Sequence, residues 1–261
     1  STHCISSAAS DVYKRQERMA MNMILLLKSF TRTLGLKNLL YPVYSHTLLK
    51  VYKRRQNRLF NGGNKELLFL VDDVLTRHEC VFWLNYGTLL GAYRDHDFIT
   101  HDNDLDIGMY WKDREGVKEW LADAGLKLLS IITYGNPDAP DSAEYRFEYH
   151  GTCIDINFYE VETGVAITYN PLFFSEKDYN VKGASIPVKV ERVDSPFTNL
   201  KKITFLGRKF YVPENTEEYL IANYGENFMT PISDFNYHDY ALNITAYSEE
   251  EKSGSFYRYN F

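Results

Sequence analysis

Apolar residues recur every three or four positions over Lys65 to Glu79, where Leu67, Leu68, Val71 and Leu75 share one face. The same spacing returns over Asp113 to Ala124, with Val117, Trp120 and Leu121 inward and Gly125 behind them. Both stretches predict amphipathic helices, the second ended by its glycine. Alternating or short apolar runs predict strands at Val81 to Leu84, Leu105 to Met109, Leu126 to Ile132, Ala143 to Tyr149 and Thr152 to Tyr159. The last two read as a hairpin turned at His150-Gly151. Between the first two strands, Tyr86 to Tyr93 reads as a helix with Gly87 and Gly91 close to its ends. Ile203 to Leu206 and Lys209 to Val212 form a second predicted hairpin around Gly207, followed by Pro213 and a helix from Asn215 to Tyr224 closed by Gly225. Residues 160 to 200 carry little periodicity and are expected to be long aromatic-rich loops with short strands at 164–168 and 186–190. The succession predicts an α+β fold, one mixed sheet with helices packed against it.

Ahead of this region the pattern changes. Glu17 to about Lys28 offers one apolar helical face, and Ser45 to Leu59 carries Leu48, Leu49 and Tyr52 beside Lys53, Arg54, Arg55 and Arg58. Asn61-Gly62-Gly63-Asn64 is the cleanest break in the chain. Residues 1–16 resemble a translated non-native leader and are set outside the fold. The expected organisation is therefore a leader (1–16), a basic helical region (17–60) and a catalytic domain (61–261).

Charge follows the same division. Residues 1–65 hold 12 Lys and Arg against 2 Asp and Glu, whereas the rest of the chain holds 17 against 33. An acidic body is unsuited to general nucleic-acid binding, which neutralises phosphates along an extended path. The basic front end suits an anionic surface, either an acidic leaflet met by Lys53, Arg54, Arg55 and Arg58 or the acidic body of a second subunit in a homo-oligomer. No stretch reaches the 18 or so apolar residues that span a bilayer. With no secretory pattern either, the expectation is a cytoplasmic protein with at most peripheral contact at the inner face of the membrane. Three cysteines, Cys4, Cys80 and Cys153, cannot all pair and match no metal knuckle; Cys153 reads as a reduced thiol in or near the core.

The candidate chemistry lies in residues 83–109. Asp102, Asp104 and Asp106 alternate, and strand geometry puts Asp104 and Asp106 on one face, roughly 7 Å apart, with Leu105 and Ile107 on the other. Such carboxylates repel unless a positive group sits between them, and a hard divalent cation is the usual one. Asp155, flanked by Ile154 and Ile156, supplies a third carboxylate from another strand. A solvent-facing acidic sheet surface is the alternative, against which stands the poor strand propensity of aspartate.

These residues also carry a resemblance. Gly87-Thr88-Leu89-Leu90-Gly91, Arg94, the run His101 to Met109, Ile154-Asp155-Ile156, and the closing Gly207 to Pro213 with Tyr219-Leu220 and Tyr224-Gly225 resemble the LicD family of the nucleotidyltransferase superfamily. Asn103 and His101 depart from that pattern, where an acidic residue and a proline are frequent. The resemblance implies a nucleotidyltransferase-type sheet with extra N-terminal helices. It also implies a bacterial transferase that passes phosphocholine, ribitol phosphate or a similar phospho-alcohol from a CDP-activated donor to a sugar hydroxyl, releasing CMP. The acceptor would be a glycan precursor of capsule, teichoic acid or lipopolysaccharide, lipid-linked in some cases.

Mg²⁺ or Mn²⁺ would be held by Asp104, Asp106 and Asp155, which are also the implied catalytic residues. Gly87, Thr88 and Arg94 would meet the donor phosphates, with Asp102 and Arg146 supporting from outside. Tyr169, Phe173 and Phe174 are the expected neighbourhood of the alcohol, where an aromatic cage would favour choline. The alternatives are a true nucleotidyltransferase that moves NMP onto a small acceptor, and a non-catalytic glycan- or lipid-binding homologue.

Overall fold

A helix over 63–77 (α1) opens the described chain, and Leu67, Leu68, Val71, Val74 and Leu75 are buried on its inner face as the spacing predicts. Each such side chain contributes roughly 1.5–3 kcal/mol by leaving water. The computed structural model describes residues 63–99, 102, 104–136, 139–172, 181–232, 236–246 and 253–259. Contacts divide the chain into two compact units, Ser1–Gly63 and Asn64–Phe261, and every described strand belongs to the second. The expected helices over 17–28 and 45–59, with Lys53, Arg54, Arg55 and Arg58, lie outside the described residues. So do His101, Asn103, Phe173 and Phe174. No helix among the described residues is long and apolar enough to cross a membrane.

After α1 come β1 (Phe82–Leu84), α2 (Tyr86–Leu90), β2 (Asp104–Tyr110), α3 (Val117–Asp123), β3 (Lys127–Asn136), β4 (Ala139–Tyr149) and β5 (Thr152–Glu162). The second half contains β6 (Val165–Leu172), β7 (Ser185–Pro196), β8 (Leu200–Phe205), β9 (Arg208–Pro213), α4 (Thr216–Tyr224), α5 (Tyr237–Tyr240), β10 (Ile244–Ala246) and β11 (Ser253–Arg258). The strands run β10-β7-β11-β3-β4-β5-β2-β1-β9-β8, and β6 pairs with both β5 and β7. Among the described pairings only β2 with β5 and β1 with β9 are parallel. This is the mixed α+β architecture expected from the pattern.

Three expectations are corrected. The helix over 113–124 begins at Val117, because Trp111–Asp113 winds as a 3₁₀ turn and Gly116 takes a left-handed φ of 81° that no helix continues through. The 86–93 helix runs on from α2 into a π turn over Gly91–Asp95 and stops at His96, itself left-handed at φ 54°. Gly91 permits this crowding, since a Cβ there would lie 2.6 Å from the Asp97 carbonyl.

The largest correction concerns 160–200, where β6 and β7 are long strands paired over eight positions from Val165↔Pro196 to Leu172↔Lys189. Pro171, Pro187 and Pro196 each lack a ladder donor yet lie within these strands. Pairing of their neighbours holds them there. The contacts β3–β4–β5–β6–β7–β11–β3 close on themselves, giving a ring of antiparallel strands. Ile132, Tyr134, Ile167, Tyr169, Val188, Val190 and Phe256 form a small core of their own from its strands. Tyr169 is therefore a core residue packed against Tyr134, not a cage wall.

The main core lies on the other side of β2, β4 and β5. Leu105, Ile107, Met109, Tyr145, Phe147, Ile154, Ile156 and Phe158 are buried there with α1 and α3 residues. The opposite face of the same three strands carries the polar groups. Register places Asp106 beside Asp155, Arg146 across from Asp155, and Glu144 across from Asn157.

Candidate active site

Asp104 and Asp106 point to the same side of β2, as alternation predicts, and Asp155 joins them from β5 through the parallel register. The Gly87–Thr88 turn clamps Asp106: the Gly87 N–H donates to its Oδ2 at 3.1 Å, and Thr88 Oγ1 accepts from the Asp106 N–H at 2.8 Å. The turn expected to meet phosphate thus spends its Gly87 donor on the carboxylate. A Cβ on residue 87 would overlap Asp102 Oδ2, so glycine is what allows Asp102 to sit over the turn.

Below the turn, Asn85 Nδ2 donates to the Tyr159 hydroxyl at 2.9 Å, and the Tyr219 hydroxyl donates to Asn85 Oδ1 at 2.7 Å. All three side chains are fully buried. This bridge ties α2 to β5 and α4 and gives Tyr219 of the closing segment a structural purpose. Asn85→Leu strands two buried hydroxyls, although they lie 3.4 Å apart and can partly satisfy each other. A loss of about 2 kcal/mol is expected, read as a fall of roughly 4–8 °C in Tm; an unchanged Tm would refute the bridge.

Arg146 enters the site directly. Its Nη1 donates to Asp155 Oδ2 at 2.6 Å and its Nη2 to Asp104 Oδ2 at 3.0 Å, so it sits between two of the three expected metal ligands. Arg94 lines the cleft on the Gly87 side, with its guanidinium on Asp95 at 2.9 Å and on the Phe228 carbonyl at 3.3 Å. Cys80 and Cys153 are free thiols, in agreement with the sequence reading.

Glu144 was missed by sequence reasoning. It lines the same cavity as Asp104, Asp106 and Asp155. The signal was present: Ala143, Tyr145 and Phe147 alternate with Glu144, Arg146 and Glu148, which places both Glu144 and Arg146 on the carboxylate face. Burial pushes the Glu144 carboxyl up to about 7 against the pull of Arg146, with Asp104 adding to the rise. Asp106 is driven well above the usual carboxylate range by burial and by the charges of Asp104 and Asp102, while the Gly87 N–H pulls it down. Burial, then Glu144, raises Asp155 likewise, and Arg146 opposes them.

A carboxyl whose native pKa is raised stabilises the fold at low pH and loses that contribution as pH climbs through its native value. For Glu144 the loss runs from its ordinary 4.5 to about 7. Metal-free protein is therefore expected to melt lower at pH 8 than at pH 5, and Glu144→Gln to shrink that difference. An identical pH dependence in the variant would contradict the burial.

Two cavities flank the carboxylates and share Tyr86, Asp106 and Tyr224. One, of about 840 Å³, is lined by Gly87, Arg94, Asp102 and Phe228. The other, of about 540 Å³, is lined by Asp104, Glu144, Asp155 and several asparagines. As they stand, no three His, Cys, Asp or Glu side chains among the described residues converge on a common metal position. The donor set is nonetheless all hard oxygen, and Asp155 Oδ1 is buried with no hydrogen-bond donor among the described residues. Such oxygens are the ligand type of a hard divalent cation, while Arg146 supplies the positive charge between Asp104 and Asp155.

Residues 79–215, just over half the chain, match the family described as "LicD/FKTN/FKRP, nucleotidyltransferase domain". The human "Ribitol-5-phosphate transferase FKTN" is 30% identical over 183 residues, 68% of this chain and 36% of that protein. Its mouse counterpart is 29% identical over 191 residues, 71% and 37% of the two chains. The "Uncharacterized protein T07A5.1" of Caenorhabditis elegans is 26% identical over 242 residues, 84% and 61% of the two chains. The matched region spans about a third of the length of the ribitol-5-phosphate transferases. The match takes in the Gly87–Thr88 turn, β2, Arg146 and Asp155, and on it the chain belongs to the LicD/FKTN/FKRP nucleotidyltransferase-domain family.

Proposed function

We propose that the chain transfers a phosphorylated alcohol from a CDP-activated donor to a sugar hydroxyl of a glycan, releasing CMP. The observation that carries this reading is that Asp104, Asp106, Asp155 and Glu144 line one cavity, within the span that matches the family. Among donors, ribitol phosphate stands ahead of phosphocholine for two reasons. The ribitol-5-phosphate transferases are the named relatives, and Tyr169, the described member of the expected cage, is buried in the core.

In this reading Asp104, Asp106 and Asp155 hold a divalent cation, which when bound offsets the charge of the donor pyrophosphate. Asp102 and Asp106 mark the wall of the larger cavity, where the nucleotide end lies beside Arg94. The acceptor oxygen forms a bond to the phosphorus that carries the alcohol, the bond from that phosphorus to CMP breaks, and the acceptor proton passes to Asp155. Oδ1 of Asp155 is suited to that transfer because no described protein donor occupies it.

A donor series tests the proposal. CMP release from CDP-ribitol exceeding that from CDP-choline and CDP-glycerol supports it. Pyrophosphate release, with a nucleotide left on the acceptor, would replace it by nucleotidyl transfer. No turnover of any of these donors with a glycan acceptor and Mg²⁺ would favour a binding role.

A further inference from the structure

Arg146 stands where a cation is expected. Strand pairing sets it directly across from Asp155, so its place on the carboxylate face is fixed by backbone register rather than by a loop. Its Nη1 donates to Asp155 Oδ2 at 2.6 Å and its Nη2 to Asp104 Oδ2 at 3.0 Å. One planar fork therefore joins a carboxylate of β5 to one of β2, a geometry that a lysine ammonium cannot reproduce. The side chains of Arg146, Asp155 and Asp104 are 24%, 11% and 27% exposed, so water screens these contacts less than it would at the open surface. Asp106 is held differently, by the Gly87 N–H at 3.1 Å.

A guanidinium and a divalent cation compete for such carboxylates on two grounds. Both are positive, and side by side in a half-buried cleft they repel strongly. Both also need the same groups: a hard cation takes oxygen ligands, and Asp104 and Asp155 already accept short charge-assisted bonds. As they stand, no three His, Cys, Asp or Glu side chains among the described residues converge on one metal position. A guanidinium lying between two of them keeps that spacing. Burial raises the Glu144 and Asp155 carboxyls, and Arg146 opposes the rise in both, as a counter-ion shared by the cluster would.

We infer that Arg146 is the resident counter-ion of the carboxylate cluster and competes with the divalent cation for Asp104 and Asp155, so that the cation binds only as the guanidinium leaves. The inference rests on the reading that these aspartates hold a cation, and adds what sets its affinity. Hydrogen bonds to charged groups are strong enough that giving one up weakens a competing equilibrium by about tenfold or more. Arg146 thus holds the metal-free cluster together and lowers its affinity for the metal alone. An arginine that instead braced Asp104 and Asp155 as ligands would act with the opposite sign, and its removal would weaken metal binding.

Electron paramagnetic resonance of Mn²⁺ titrated into the full chain, without nucleotide or acceptor, tests this. Arg146→Met is expected to bind Mn²⁺ roughly tenfold more tightly than wild type and, when metal-free, to melt lower than wild type. Arg146→Lys, which keeps a charge but not the fork, should fall between the two and keeps the test decisive if Arg146→Met does not fold. Asp104→Asn added to either variant should cancel the gain, which places the ion at the carboxylates. Affinity unchanged or weaker in Arg146→Met, or in Arg146→Lys should Arg146→Met not fold, would overturn the inference, as would a gain that survives Asp104→Asn. No Mn²⁺ bound by any of these proteins would overturn it too, and would remove the cation from the proposed reaction. Because no donor is present, absence of CMP release with these affinities as expected counts against the transferase reading alone.

Discussion

Asp106→Asn is expected to lower CMP release by roughly 10³-fold, the scale of removing one preorganised electrostatic group from a transition state, while leaving the protein folded. The two effects separate because Asp106 has two roles that the substitution treats differently. Its Oδ2 accepts the Gly87 N–H at 3.1 Å, and an amide oxygen can take over that bond. Its charge cannot be replaced. The free carboxylate is disfavoured by burial and by Asp104 and Asp102, which is why its pKa is raised, so neutralising it removes a native-state cost. Tm at pH 8 should therefore hold or rise while turnover collapses. The sign is that of any raised acid: the contribution is present at low pH and lost on going up, so the gain in Tm should vanish toward pH 4. Activity within tenfold of wild type at full Mg²⁺ would remove Asp106 from the reaction.

Gly108→Ala should produce the largest loss of stability, about 3 kcal/mol, read as a fall of roughly 6–12 °C in Tm. Gly108 lies on β2 paired with Trp83 of β1. A Cβ at that position would overlap the Trp83 indole at several ring atoms. The ring has nowhere to go: Trp83 is fully buried, with the Tyr110, Tyr159 and Phe197 rings at centroid distances of 5.2, 5.4 and 5.1 Å. A glycine in the strand lets the indole lie across β2 toward β5, on the floor of the site. Trp83→Leu should recover part of the loss in the double variant, because contacting positions are not additive. An alanine at 108 that melts within 2 °C of wild type would show that the packing can shift to absorb a methyl.

Gly108 also marks the limit of what pattern can say. Its place in the run from Leu105 to Met109 was visible, whereas its reason is an indole from another strand. Glu144 sits between those extremes. Period-two alternation places it with Arg146 on one face, but only the pairing of β4 with β5 turns that face toward Asp155. Arg94 lines the larger cavity, and only tertiary structure gives its guanidinium the Phe228 carbonyl beside its neighbour Asp95.

What the amino-acid sequence determined by itself was local. Spacing of three and four set α1, Pro213 and Gly225 bracketed α4, alternation set β2 and β5 and the shared face of Asp104 and Asp106, and Gly207 set a hairpin. These follow from side-chain direction and backbone sterics, which neighbours in the chain decide. Tertiary structure alone decided the rest. Residues 165–196 carry little periodicity and read as loops with only short strands at 164–168 and 186–190, and pairing of β6 and β7 with each other, with β5 and with the distant β11 extends them into long strands. Tertiary packing likewise put Asn243, ahead of β10, and Asn223, on α4, on the cavity of Asp155. Strand pairing and shared burial are energies between distant segments, and a single sequence read in order does not contain their register.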